Sequence, residues 1–179
     1  RDDFAGKPYN EEEVEWTEPV VETGHTMLAS DNYESGNSFL TINQKTNKAN
    51  YVKDTEDNQY LEMVKETDDD IFIDYSQPIT SRYLNIELDL MSSQIGAAGF
   101  IQLRDTDKNY SVIYNLGTDG TLKFQPNGAV ITKLSKNWVN LKASIDLIGK
   151  TSSLWVNGEE RYTKVALNNT KFTGEVELI

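Results

Sequence analysis

From residue 60 onward the apolar side chains of this chain recur at every second position, a period that commits a segment to pleated β backbone with one buried face. Residues 83–90 show it best. Leu84, Ile86, Leu88 and Leu90 alternate with Asn85, Glu87 and Asp89, so the first set faces a core and the second faces water. The same reading predicts strands over 99–104 with Ile101 and Leu103 inward, 110–116 as a mixed run, and 121–125 with Leu122 and Phe124 inward. Two more follow over 139–147, burying Val139, Leu141, Ala143, Ile145 and Leu147, and over 153–157, burying Leu154 and Val156. Between them Gly117–Gly120, Pro126–Gly128, Ile148–Thr151 and Asn157–Gly158 place Asn and Gly where tight hairpins need positive φ. A helical period is absent. The expected fold is an all-β, antiparallel two-sheet jelly-roll sandwich.

Upstream, residues 60–64 and 71–75 predict a hairpin around Glu66–Asp70, while residues 1–55 read as irregular, with one or two short strands. A length of 179 residues suits a single domain, expected as an irregular part over 1–55 and a sandwich meander over 56–179. The chain opens on Arg1, and at its other end Val176 and Leu178 still alternate with glutamates where the sequence stops. We therefore expect a fragment of a larger protein, with further chain beside residues 172–179.

Composition narrows the chemistry. There is no cysteine, and His25 is the single histidine, so thiolate chemistry and multi-histidine zinc sites are excluded and any Ser-His-Asp triad would need His25. A net charge of −12 with no basic stripe argues against nucleic acid and anionic membrane surfaces as partners. Nine tyrosines, six phenylalanines and three tryptophans supply the large buried areas that a thin two-layer fold requires.

The order of several pieces is also informative: Asp2-Asp-Phe4, Tyr60-Leu-Glu-Met63, the 84–90 strand, Gly99-Phe-Ile-Gln-Leu-Arg-Asp105, Asp119-Gly-Thr-Leu122, Asn137-Trp-Val-Asn-Leu141 and Leu154-Trp-Val-Asn-Gly158. This order resembles the concanavalin A-like lectin/glucanase superfamily, in the laminin-G-like form carried as accessory modules by secreted bacterial polysaccharide lyases and glycoside hydrolases. The resemblance covers roughly residues 56–179 and marks a fold more than a ligand. It implies a secreted or cell-surface protein, a polysaccharide or oligosaccharide partner and a covalently linked catalytic domain in the parent chain. It implies no certain cofactor; a structural Ca²⁺ is the one metal such a fold suggests, with Asp3 as its candidate ligand here. The aspartates at 68–70 read as a solvated turn, since calcium wants six to eight oxygens from several segments.

Catalytic alternatives start from Glu87-Leu-Asp89-Leu-Met-Ser92, which looks like the E-x-D-x-x-E strand of laminarinase-type retaining glycosidases, with Ser92 where the general acid belongs. Alginate-lyase-type chemistry would need a Tyr/His pair with Arg and an amide, which Arg104, Gln102 and Tyr114 only imitate. No G-x-S-x-G occurs. The expected function is therefore a non-catalytic carbohydrate-binding or spacer module, the alternatives being a degenerate lyase or glycosidase and an adhesive or structural cell-surface module. Sugar binding in such a sandwich stacks an aromatic ring on a pyranose and flanks it with polar groups. The candidate contacts are Trp155, which alternates outward from Leu154 and Val156, with Glu87, Gln102, Arg104, Tyr114 and Asn115. The sheet holding Glu87 and Arg104 is expected to be the concave one, and an acidic glycan would draw on Arg104 or Lys123. Trp138 reads as a strand-end anchor, and Asn109-Tyr-Ser111 and Asn168-Asn-Thr170 match glycosylation sequons.

Overall fold

The computed structural model describes residues 27–29, 41–43, 48–53, 59–64, 66–67, 71–92, 99–134, 136–169 and 176–178. All regular structure among them is β, and the chain divides into two compact units, over 11–76 and 77–178.

The first unit holds β1 (Thr41–Asn43), β2 (Lys48–Lys53), β3 (Gln59–Val64) and most of β4 (Phe72–Ile79). β3 pairs with β2, Tyr51 opposite Leu61, whereas β4 pairs with β1, Thr41 opposite Asp74. The hairpin expected between residues 60–64 and 71–75 is thus replaced by two separate ladders. β2 escapes sequence reading because its Lys and Asn residues are weak strand formers and only Ala49 and Val52 are half-buried. An ion pair from Lys48 Nζ to Glu66 Oε1 at 2.8 Å spans the open end of its ladder.

The second unit is a β-sandwich. One sheet runs β12 (Glu159–Ala166), β11 (Thr151–Val156), β10 (Val139–Asp146), β5 (Tyr83–Leu90). The other carries β13 (Val176–Leu178), β6 (Gly99–Asp105), β7 (Tyr110–Leu116), β8 (Thr121–Phe124) and β9 (Ala129–Lys133) in that order. Strict alternation in β10 and β11 sends Leu141, Ala143, Ile145 and Leu154 into the core at 0% exposure, against Leu103, Ile113 and Phe124 of the opposite sheet, also at 0%. Each of the leucine, isoleucine and phenylalanine side chains among them contributes about 1.5–3 kcal/mol on burial. The two layers meet directly where Phe124 stacks on Tyr162, centroids 5.7 Å apart and planes 11° apart.

Turn chemistry fixes the registers. Asn157 and Gly158, at φ 49° and 81°, form the two-residue link between β11 and β12, the left-handed pair a type I′ hairpin demands. At the β10–β11 end, Asp146 Oδ1 accepts the N–H groups of Ile148 and Gly149 at 3.1 and 2.8 Å. The same carboxylate receives Arg82 Nε and Nη2 at 3.1 and 2.9 Å, tying the β4–β5 connection to that turn. Arg82 and the two N–H groups hold the Asp146 carboxyl at about 2.

Two irregularities matter for what faces outward. Across β6 and β7, Ile101 pairs with Tyr114 but Gln102 with Val112, leaving Ile113 as an extra residue on β7. This β-bulge switches the parity of β7, so Ile113 and Tyr114 are consecutive yet both buried. A similar shift between Leu122 and Lys123 leaves Ile131 extra on β9.

Candidate functional site

The sandwich has two outer faces, and the sequence-derived contacts divide between them. Glu87 on β5 and Trp155 on β11 belong to one sheet; Gln102 and Arg104 on β6 and Asn115 on β7 belong to the other. The expectation that Glu87 and Arg104 share a concave sheet is therefore corrected. The chain changes sheets between β5 and β6, so the outward sets of these strands point away from each other.

On the β5–β10–β11 face, register sets Glu87, Lys142, Trp155 and Glu160 in one row across the strands. Lys142 Nζ stands 5.7 Å from the centroid of the half-buried Trp155 ring, so one face of the indole is already occupied by an ammonium. Asn140 Nδ2 donates to Glu87 Oε1 at 3.3 Å and Asp89 Oδ1 at 2.9 Å, bridging both carboxylates. Ser92 is 5% exposed.

The β6–β7 face differs. Its bulge brings Phe100 opposite Asn115, Gln102 opposite Val112 and Arg104 opposite Tyr110. Phe100 and Tyr110 are 61% and 55% exposed, unusual for rings placed on a sheet. Together with Gln102, Arg104, Val112 and Lys108 they line a depression of about 510 Å³, within the size range of small-molecule sites. Lys108 is set there by the hairpin turn: Asp105 accepts Lys108 N–H through its carbonyl, and its carboxylate, 2% exposed, holds Asn109 N at 2.8 Å and Asn109 Nδ2 at 3.0 Å. The turn forces Lys108 to φ 63°. Lys123 continues the face, directly opposite Asn115 on β8.

Tyr114 is corrected outright as a ligand contact. The Ile113 bulge turns it inward to 1% exposure, its ring 6.4 Å from that of Phe124. Its hydroxyl is buried without a hydrogen-bond partner among the described residues, and burial pushes the phenol well above its ordinary value. Asp3, His25 and residues 68–70 lie outside the described residues. Among those described, no group of three or more His, Cys, Asp or Glu side chains is placed to hold a metal ion.

Phe100, Lys108 and Tyr110 are not candidates on sequence grounds. The parity of Gln102 and Arg104 extends to Phe100, which is the available signal; Tyr110 requires the pairing across the hairpin.

No protein-family model matches the chain, and no curated protein matches it by sequence. Among solved structures, one titled "Sialidase" aligns with a TM-score of 0.60 and 15% identity. The alignment covers 84% of this chain and 14% of that one, so this chain spans a small part of the longer protein's length. At that identity the likeness is one of fold.

Proposed function

We propose that this chain is a non-catalytic carbohydrate-binding module of the concanavalin A-like class, belonging to a secreted polysaccharide-degrading enzyme. The observation that carries the reading is the pair of exposed rings, Phe100 and Tyr110, flanking Gln102 and Arg104 in one open depression. Phe100 and Arg104 are four positions apart on one strand, about 13 Å at about 3.3 Å per residue, and Tyr110 stands across from Arg104. That span suits an oligosaccharide laid along the strand, its pyranose faces on the rings and its hydroxyls on Gln102 and Asn115.

Three observations favour binding over catalysis and this face over the other. Glu87 and Asp89 are bridged by one amide, Ser92 is buried in place of a further acid, and Trp155 is capped by Lys142. The fold likeness to a sialidase is consistent with a part of a larger carbohydrate-active protein. The test is a glycan array with wild type, Phe100→Ala, Tyr110→Ala and Trp155→Ala. Loss of binding in the first two variants, with Trp155→Ala retaining it, is expected; the reverse order, or no glycan bound at all, refutes the reading.

A further inference from the structure

Resting on that reading, we propose that the β6–β7 depression selects carboxylated sugars, with Arg104 as the fork for the carboxylate and Lys108 as supporting charge. The chain carries −12 overall, yet the described outward positions of β6, β7 and β8 contain no aspartate or glutamate, while Arg104 and Lys123 stand among them.

The other described arginines are spoken for: Arg82 pairs with Asp146 at 2.9 Å and Arg161 with Glu159 at 3.3 Å. Arg104 is half-buried beside two exposed rings, and register sets it between Tyr110 of β7 and Glu177 of β13. Asp119, in the turn at the far end of the face, spends its carboxylate on the Thr121 N–H and hydroxyl, each at 2.9 Å. The 105–109 turn fixes the backbone of Lys108 at the rim of this depression, which its side chain helps to line.

A guanidinium presents two parallel N–H donors that match the two oxygens of a planar carboxylate. An equatorial carboxylate lies near the plane of its sugar ring. A sugar stacked on Tyr110 therefore presents that carboxylate at its edge, next to Arg104, which register sets directly opposite Tyr110. In a chain that otherwise repels polyanions, a local cationic face admits an acidic sugar only at short range, since at physiological salt charges further apart than about 8 Å are screened.

The experiment uses the full chain and a panel of polyuronates (galacturonate, mannuronate, guluronate and glucuronate oligomers). Each is paired with its methyl ester, and sulfated oligosaccharides are included. At least one carboxylated member is expected to bind and to weaken by about tenfold to a hundredfold on esterification, the loss of one charge-assisted hydrogen-bonding pair. Arg104→Gln should reproduce that loss with its thermal unfolding unchanged, Arg104→Lys should recover only part of it, and Lys108→Gln should weaken binding severalfold and flatten its salt dependence. Equal binding of acid and ester, binding confined to neutral or sulfated members, or an acid response untouched by Arg104→Gln each overturns this inference while leaving a binding module. No binding to any member overturns the binding reading as well.

Discussion

Replacing Tyr114 by phenylalanine removes one oxygen from the core and nothing else, and the structure gives that change a sign. The hydroxyl is buried without a described partner, and a buried, unsatisfied hydroxyl costs about 1–3 kcal/mol in lost hydration. The void left behind, about 15 Å³, costs about 0.4 kcal/mol at about 24 cal/mol per Å³. Tyr114→Phe should therefore stabilise the sandwich by about 0.6–2.6 kcal/mol, a rise of about 1–10 °C in Tm for a domain of this size. It keeps the ring that packs 6.4 Å from Phe124, so Tyr114→Ala, which discards the ring, should instead cost about 3–5 kcal/mol. An alkaline signature goes with it. The folded phenol titrates well above the ordinary 10.0 because it is buried. Above that pH the unfolded chain loses the proton and the folded chain keeps it, so stability contributed below the unfolded value is lost as pH rises, by about 1.4 kcal/mol per pH unit. Urea unfolding of wild type and Tyr114→Phe at neutral pH and above pH 10 measures both effects. A phenylalanine variant less stable by more than about 1 kcal/mol at neutral pH would mean that the hydroxyl is hydrogen-bonded in the folded protein, and the argument would be wrong.

Asp146 supplies the acid counterpart: its carboxyl, lowered to about 2 by Arg82 and the turn N–H groups, contributes stability that is complete above its unfolded value and lost as pH falls through 2, so Asp146→Asn should flatten the acid limb of a Tm-against-pH curve. Gly120→Ala should destabilise by about 1–2 kcal/mol, because φ is 82° and a Cβ there would lie 3.0 Å from the Leu134 carbonyl oxygen; a urea midpoint unchanged within error would contradict this. The chain should release no reducing ends from β-glucans, since Asn140 bridges Glu87 and Asp89 and Ser92 is buried; turnover abolished by Glu87→Gln would promote the glycosidase reading.

The strands that alternate cleanly are legible from their period alone: β5 spans the expected 83–90, and Leu84, Leu141, Ala143, Ile145, Leu154 and Val156 are buried as their parity requires. Where pairing breaks parity, periodicity misleads. Ile113 changes the phase of β7, so counting along the chain cannot place Tyr114, and Ile131 does the same in β9, which periodicity does not reveal as a strand. β12 is hidden because Glu159, Glu160, Arg161 and Lys164 mask the inward Tyr162 and Val165. The candidate site is half readable: Gln102, Arg104 and Asn115 meet on one face, but the exposed rings beside them come from a strand start and a cross-hairpin neighbour that single-strand periodicity does not join. The separation of Glu87 from Arg104 depends on a change of sheet, which local patterns do not encode.

The irregular backbone of β12 has a consequence for concentrated or tandemly repeated copies. Among the described residues it ends its sheet, and a strand edge is where one molecule can extend the ladder of the next. Here Lys164 is held at φ 49° and the register slips twice against β11, between Ser152 and Leu154 and between Leu154 and Trp155. Exposed charge at Glu159, Glu160 and Arg161 adds electrostatic and hydration costs to any approach. A neighbouring strand would meet a kinked, charged border instead of a straight row of donors and acceptors, so polymerisation through this edge is suppressed even where many such units are crowded together.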